Sequence, residues 1–165
     1  PTRRSSDLVF ADIATLRTGG KVDDYFIIHL MKPARMPEVK ITLKASYLMC
    51  ENEPRFVLHG TEGSYVKYGL DPQEADLTKG LLPDAPHWGE EDESQWGILH
   101  TEKDGNVVRK PYPTLPGNYA AFYENIYQHI RNGEVLQSDA CGVLGVIRLI
   151  EAAWESSRTG NVRKL

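Results

Sequence analysis

EVKITLKASYL, residues 38–48, alternates without a break. Val39, Ile41, Leu43, Ala45 and Tyr47 fall on one side and Lys40, Thr42, Lys44 and Ser46 on the other. Successive side chains of an extended chain point to opposite faces, so the stretch predicts a strand with one apolar and one solvated face. Such a strand belongs in a sheet covered on one side only. Upstream, residues 22–32 (VDDYFIIHLMK) are apolar at both parities through 25–31, which predicts a central strand. Residues 9–17 (VFADIATLR) alternate in part and end at the turn signal Gly19-Gly20. Pro33 and Pro37 break the chain between the second and third strands.

Downstream, residues 55–59 and 64–68 read as short strands joined by a tight Gly60-Thr61-Glu62-Gly63 hairpin. Residues 97–101 and 106–110 flank a second hairpin signal, Lys103-Asp104-Gly105. Between the two hairpins lies a short helix over 71–79, with Pro72 in its first turn and Gly80 past its end. A long irregular stretch, 81–96, follows it with two tryptophans, and loops of that length are usually functional or covering.

The last third is helical. Tyr119, Phe122, Tyr123, Ile126, Tyr127 and Ile130 fall at i, i+3, i+4, i+7, i+8 and i+11, one apolar stripe that reads as core, ended by Asn132-Gly133. Asp139 is the natural N-cap of a second helix running to about Ser157 and closed by Gly160. That helix is apolar nearly all round, which predicts burial, and Gly142 and Gly145 would let a neighbour approach. Strands followed by helices give an α+β fold: one open, mostly antiparallel or mixed sheet with helices packed on one face. Lys40, Thr42 and Lys44 belong to the face the helices leave open.

A chain of 165 residues with 41% hydrophobic and 25% charged residues can bury a core without disulfides or a structural metal. The net charge of −4 favours neither nucleic acid nor an anionic membrane surface. The acidic run Glu90-Glu91-Asp92-Glu93 reads as a solvated loop. Two cysteines, Cys50 and Cys141, make no disulfide framework. With no bilayer-length apolar run and no signal peptide, a cytoplasmic location is the expectation. Residues 1–8 (PTRRSSDL) are polar, basic and aperiodic, and they resemble the in-frame translation of a short-read sequencing adaptor. The expected division is a non-native tail over 1–8 and one domain over 9–165.

The chemistry-bearing motifs are sparse. No G-x-G-x-x-G follows a strand, no phosphate-binding loop or nucleophile elbow is present, and the five histidines are scattered without metal spacing. The one dense polar constellation is Lys67-Tyr68-Gly69-Leu70-Asp71-Pro72-Gln73-Glu74. Asp71 and Glu74 have capping-box spacing, which explains two of its residues without any site. Strand-to-helix junctions are also where sites are built, so Lys67, Tyr68, Asp71 and Gln73 are candidate site-edge residues. Tyr119, after Pro116-Gly117, could turn its hydroxyl to solvent or a ligand. Asp23-Asp24 opposite Arg17 reads as an ion pair between neighbouring strands; acid–base work is the weaker reading because alternation separates the two carboxylates.

Taken in order and spacing, residues 22–26 (VDDYF), 59–64 (HGTEGS), 67–74, Trp88-Gly89, Trp96-Gly97, Gly117-Asn118-Tyr119 with Phe122-Tyr123, and 150–153 (IEAA) resemble the C-terminal domain of the Gfo/Idh/MocA oxidoreductases, nearest the inositol and polyol dehydrogenase branch. The resemblance implies a parent with an N-terminal Rossmann domain that binds NAD or NADP, a sheet that forms a homodimer interface, and a sheet edge that completes a sugar or polyol pocket. It implies hydride transfer in the parent. The family's catalytic Lys, Asp and His lie upstream of the matched region, so this chain is expected to hold no catalytic residue, to bind no cofactor alone and to lack its Rossmann partner. Lys67, Tyr68, Asp71, Gln73 and Tyr119 are carried over as pocket-edge residues only. A stand-alone binding or assembly module, or a non-catalytic regulator, is the alternative.

Overall fold

The structure, a computed structural model, describes residues 8–31 and 38–165. The break at Pro33 and Pro37 and the polar tail over residues 1–7 lie outside the described residues. Leu8, placed in the tail by the sequence, instead begins the first strand, where it pairs with Met31 and Lys164. The chain divides into two compact units, Pro1–Cys50 with Ser138–Leu165, and Glu51–Gln137.

The first unit holds β1 (Leu8–Ala14), β2 (Tyr25–Met31), β3 (Lys40–Ser46), α3 (Ala140–Thr159) and the two-residue β8 (Arg163–Lys164), in strand order β3-β2-β1-β8. As its two-sided apolar pattern predicts, β2 is central. The pairing sets Val9, Ala11 and Ile13 beside Leu30, Ile28 and Phe26 on one face, and Ala152 and Ala153 of α3 pack there. Asp139 caps α3 through the Gly142 N–H, and Gly160 ends it in the left-handed region at φ 66°. Both are the expected caps.

α3 departs from expectation in its burial. Only Ala153 and Ser156 are buried, while Val143, Ile147, Ile150 and Trp154 are exposed. Within this unit the helix packs on β1 and β8, so a single stripe is covered and the rest of its apolar girth is open. An added Cβ at Gly145 would meet nothing, so no element uses that gap. The C-terminal end of α3 does something a hydrophobic pattern does not announce. The Ser156 hydroxyl accepts from Ala11 N–H, and the Ser157 hydroxyl accepts from Ile13 N–H and donates to Ile13 carbonyl. Two serines thereby satisfy the part of the β1 edge that β8 is too short to pair.

The loop between β1 and β2 is tied by Asp24. Its buried carboxylate accepts from Leu16 N–H, Arg17 N–H and Arg17 Nε, and the Arg17 guanidinium lies 5.4 Å from the Tyr47 ring centroid. The Arg17–Asp24 ion pair read from the sequence is present, with its carboxylate buried rather than exposed. The Leu16 N–H, ahead of Arg17, holds that carboxyl below its ordinary pKa.

The second unit holds β4 (Phe56–His59), β5 (Gly63–Lys67), α1 (Gln73–Thr78), β6 (Gly97–Lys103), β7 (Asn106–Tyr112) and α2 (Ala120–Asn132), with strand order β4-β5-β6-β7. Every pairing in both units is antiparallel. The α+β class stands, with the strands in two four-stranded sheets instead of one. The β6–β7 turn has Asp104 and Gly105 at φ 53° and 75°, the mirror-image turn that Asp-Gly favours. α2 ends on Gly133 as expected, but its stripe is not core: Phe122, Tyr123, Tyr127 and Ile130 are all exposed.

Candidate functional site

The dense polar segment leaves β5 at Lys67 and enters α1 at Gln73. The Lys67 ammonium is buried and donates to Glu91 Oε1 at 2.7 Å, Glu91 Oε2 at 2.5 Å and the Gln95 carbonyl at 2.9 Å. Thr114 Oγ1 lies at 3.4 Å. An ammonium has three donors, and all of them are engaged. Lys67 therefore fastens the loop between α1 and β6 to the end of β5 and has no hydrogen-bond donor left over. The acidic run corrects accordingly. Glu91 is the buried partner of Lys67, Asp92 accepts from Ser94 N–H, and Glu90 bonds His87. The Ser94 hydroxyl and amide hold the Asp92 carboxyl below its ordinary pKa.

Gln73 is the centre of a second cluster and is wholly buried. Its Oε1 accepts from Trp88 Nε1 and from Tyr119 N–H, both at 2.8 Å. Its Nε2 donates to Asp71 Oδ1 at 3.1 Å and Oδ2 at 2.9 Å, and its own N–H donates to Asp71 Oδ1 at 3.0 Å. The capping box expected at Asp71 and Glu74 is replaced by this arrangement. Pro72 stands at the N-cap position, where it offers no side-chain acceptor, and Asp71 turns onto Gln73 instead.

Gly117 makes the cluster possible. A Cβ there would overlap Asp71 Oδ2 and Gln73 Nε2, and its N–H donates to the Gly89 carbonyl at 3.0 Å. Gly89 has φ 72°, and a Cβ on it would overlap Gly117. Two glycines thus bring the segments 88–89 and 117–119 against α1.

A cavity of about 300 Å³ opens beside these clusters, with Arg55, Phe56, Lys67, Asp71, Glu91 and Thr114 among its lining residues. Of the candidates from the sequence, Lys67 and Asp71 line it. Gln73 lies behind Asp71, and Tyr119 joins through its backbone while its half-exposed ring carries no bond from the cluster. Tyr68 lies outside the lining and is exposed. Trp88, Gly89 and Gly117 belong to the site as well, and so does Glu91, which reads from the sequence as part of a solvated loop. Asp71 accepts three hydrogen bonds from Gln73 and is among the residues that line the cavity. A nucleotide crevice of the usual kind needs parallel strands and a Gly-rich strand-to-helix turn, whereas every strand pair here is antiparallel.

Comparisons with known proteins place these residues in context. Residues 3–165 match the family described as "Oxidoreductase family, C-terminal alpha/beta domain" of the Gfo/Idh/MocA group. The chain is 32% identical over 150 residues to the scyllo-inositol 2-dehydrogenase (NADP(+)) IolW of Bacillus subtilis, an overlap of 91% of this chain and 41% of that protein. It is 34% identical over 147 residues to the uncharacterized oxidoreductase YdgJ of Escherichia coli, with 89% and 41% covered. A solved structure of a candidate oxidoreductase from Bacteroides fragilis superposes with a TM-score of 0.91 at 57% identity, covering 98% of this chain and 47% of that one. The chain spans less than half the length of each of these relatives.

Proposed function

This chain belongs to the Gfo/Idh/MocA oxidoreductase family as its C-terminal alpha/beta domain, and from that premise we propose that the whole protein is an NAD(P)-dependent dehydrogenase of a sugar, polyol or related hydroxyl compound. In this reading a Rossmann domain outside the present chain binds the nicotinamide and carries the catalytic residues. Hydride then passes between a substrate carbon and that cofactor. The part played by this chain is to hold one side of the substrate and to pair with a second copy through the open face of the β1–β3 sheet.

The observation that carries the reading is the Asp71 carboxylate. It is held by a buried amide and lies in the lining of a cavity, where a carboxylate oxygen can accept from a substrate hydroxyl. Lys67, Gln73 and Tyr119 position that edge rather than react. Tyr68, exposed beyond the lining, is available to a ligand that extends past the cavity. The scyllo-inositol activity of the Bacillus subtilis relative supports a hydroxyl compound as substrate and NADP as the first cofactor to try.

The test is a titration of NADPH and NADH fluorescence with the purified 165-residue chain, together with an assay of scyllo-inositol oxidation. The reading expects no saturable nicotinamide signal and no turnover. Saturable binding or turnover by this chain alone would overturn the division of labour.

A further inference from the structure

The cavity beside the Lys67 and Gln73 clusters carries a positive charge that neither cluster uses. β4 and β5 pair antiparallel with Phe56 opposite Lys67. Arg55, just ahead of β4, and the polar segment 68–71, just after β5, therefore leave the sheet at the same end. Arg55 and Phe56 both line the cavity, and the Arg55 guanidinium lies 5.9 Å from the Phe56 ring centroid. An aromatic face attracts a guanidinium without occupying its N–H donors. Among the described residues, no carboxylate or carbonyl takes a side-chain donor of Arg55. The other charged side chains of the lining are Lys67, Asp71 and Glu91. Lys67 and Glu91 neutralise each other, and Asp71 is held by the uncharged Gln73 amide. The lining is left with one carboxylate and one guanidinium, and no ion pair among the described residues joins them.

Resting on the pocket-edge reading above, we infer that Arg55 selects a hydroxylated compound that also carries an anionic group, a carboxylate or a phosphate ester. The planar fork of a guanidinium meets either group with two parallel, charge-assisted hydrogen bonds. A ligand with hydroxyls alone would use Asp71 and leave Arg55 to water. Phe56, Leu70 and Leu115, exposed residues of the same lining, offer apolar surface to the C–H faces of a sugar ring. A volume of about 300 Å³ lies at the lower end for small-molecule sites, which suits a ligand of monosaccharide size.

NMR titration of the nitrogen-15-labelled 165-residue chain with D-glucuronate, D-glucose 6-phosphate and D-glucose, at matched pH and ionic strength, tests this. The three probes share a hexose skeleton and differ in charge. At least one anion is expected to shift the Arg55 Nε–H and the amides of Gly69 and Gly117, with a dissociation constant about tenfold or more below that of D-glucose. The anion that binds tells a carboxylate ligand from a phosphate ester. Arg55 is exposed, so Arg55→Gln is expected to keep the folded amide spectrum and to lose the preference for the anion. Equal affinity for all three probes would overturn the selection by Arg55 and leave the pocket-edge reading in place. A preference that persists in Arg55→Gln would overturn the assignment to Arg55. No shift from any of the three would overturn the pocket-edge reading and this inference with it.

Discussion

The two units are held by opposite means. In the first, the buried side chains include an apolar set, Val9, Ala11, Ile28 and Ala153, from two strands and a helix. In the second, no apolar side chain among the described residues is fully buried, and the buried side chains are the polar Lys67, Gln73 and Glu91. Apolar burial is non-directional and tolerates rearrangement, whereas a buried ammonium or amide is stable only while its partners stay in place. The difference teaches where each kind of order is useful. The first unit needs a stiff sheet. The second needs particular atoms, above all the Asp71 carboxylate, at fixed positions beside a cavity.

The largest effect that could break this contrast is expected at the Lys67–Glu91 pair. Glu91→Gln leaves a buried ammonium without its counter-charge, which costs about 3–5 kcal/mol. Urea unfolding followed at Trp88 and Trp96 in a Trp154→Phe background reads that loss in the second unit. A change under about 1 kcal/mol would mean the pair is not a fastening. Next comes Gln73→Leu. It strands the Trp88 and Tyr119 donors and costs about 3 kcal/mol, since each unsatisfied buried group accounts for about 1–3 kcal/mol.

Ser156→Ala sharpens the comparison from the other side, because the first unit also contains a directional element. It leaves Ala11 N–H without an acceptor at a cost of about 1–2 kcal/mol, read as a shift in urea midpoint with unchanged slope. Asp139→Ala, which removes the cap of α3, costs about 1 kcal/mol in the same measurement.

The last effect appears only in acid. The Asp24 carboxyl is held below its ordinary value of 3.8, so the stability it contributes is fully present above that value. It is lost as pH falls through the lowered folded-state value. Asp24→Asn removes this dependence, and the difference in stability between wild type and variant shrinks below pH 3.8. A difference that stays constant to lower pH would remove Asp24 from the acid limb.

How much of this was legible follows the same division. The strands other than β8, both hairpins and the caps at Asp139, Gly133 and Gly160 were readable because period and turn chemistry are local. The burial of α2 and α3 was not, because an apolar stripe states what a helix can cover and not what is there to cover it. Lys67, Asp71 and Gln73 stood out as a polar cluster at a strand-to-helix junction. Their pairing with Glu91, Trp88 and Tyr119 was not legible, since these lie 15 to 46 residues away from them, and Tyr119 was a candidate for its hydroxyl and not for the backbone N–H that Gln73 holds. Glu91 in particular was indistinguishable from its neighbours in an acidic run, and only the buried ammonium on β5 singles it out. Ser156 and Ser157 were hidden likewise, as two hydroxyls on a helix whose use depends on a strand end that stops short.

Hydrogen exchange at the Trp88 indole N–H and the Tyr119 amide tests most directly whether the cavity edge is fixed in advance by Gln73. Both protons are expected to exchange only as the second unit unfolds, and both to become fast in Gln73→Leu. Exchange of either proton at the rate of an exposed group in the wild-type chain would contradict a pre-organised edge.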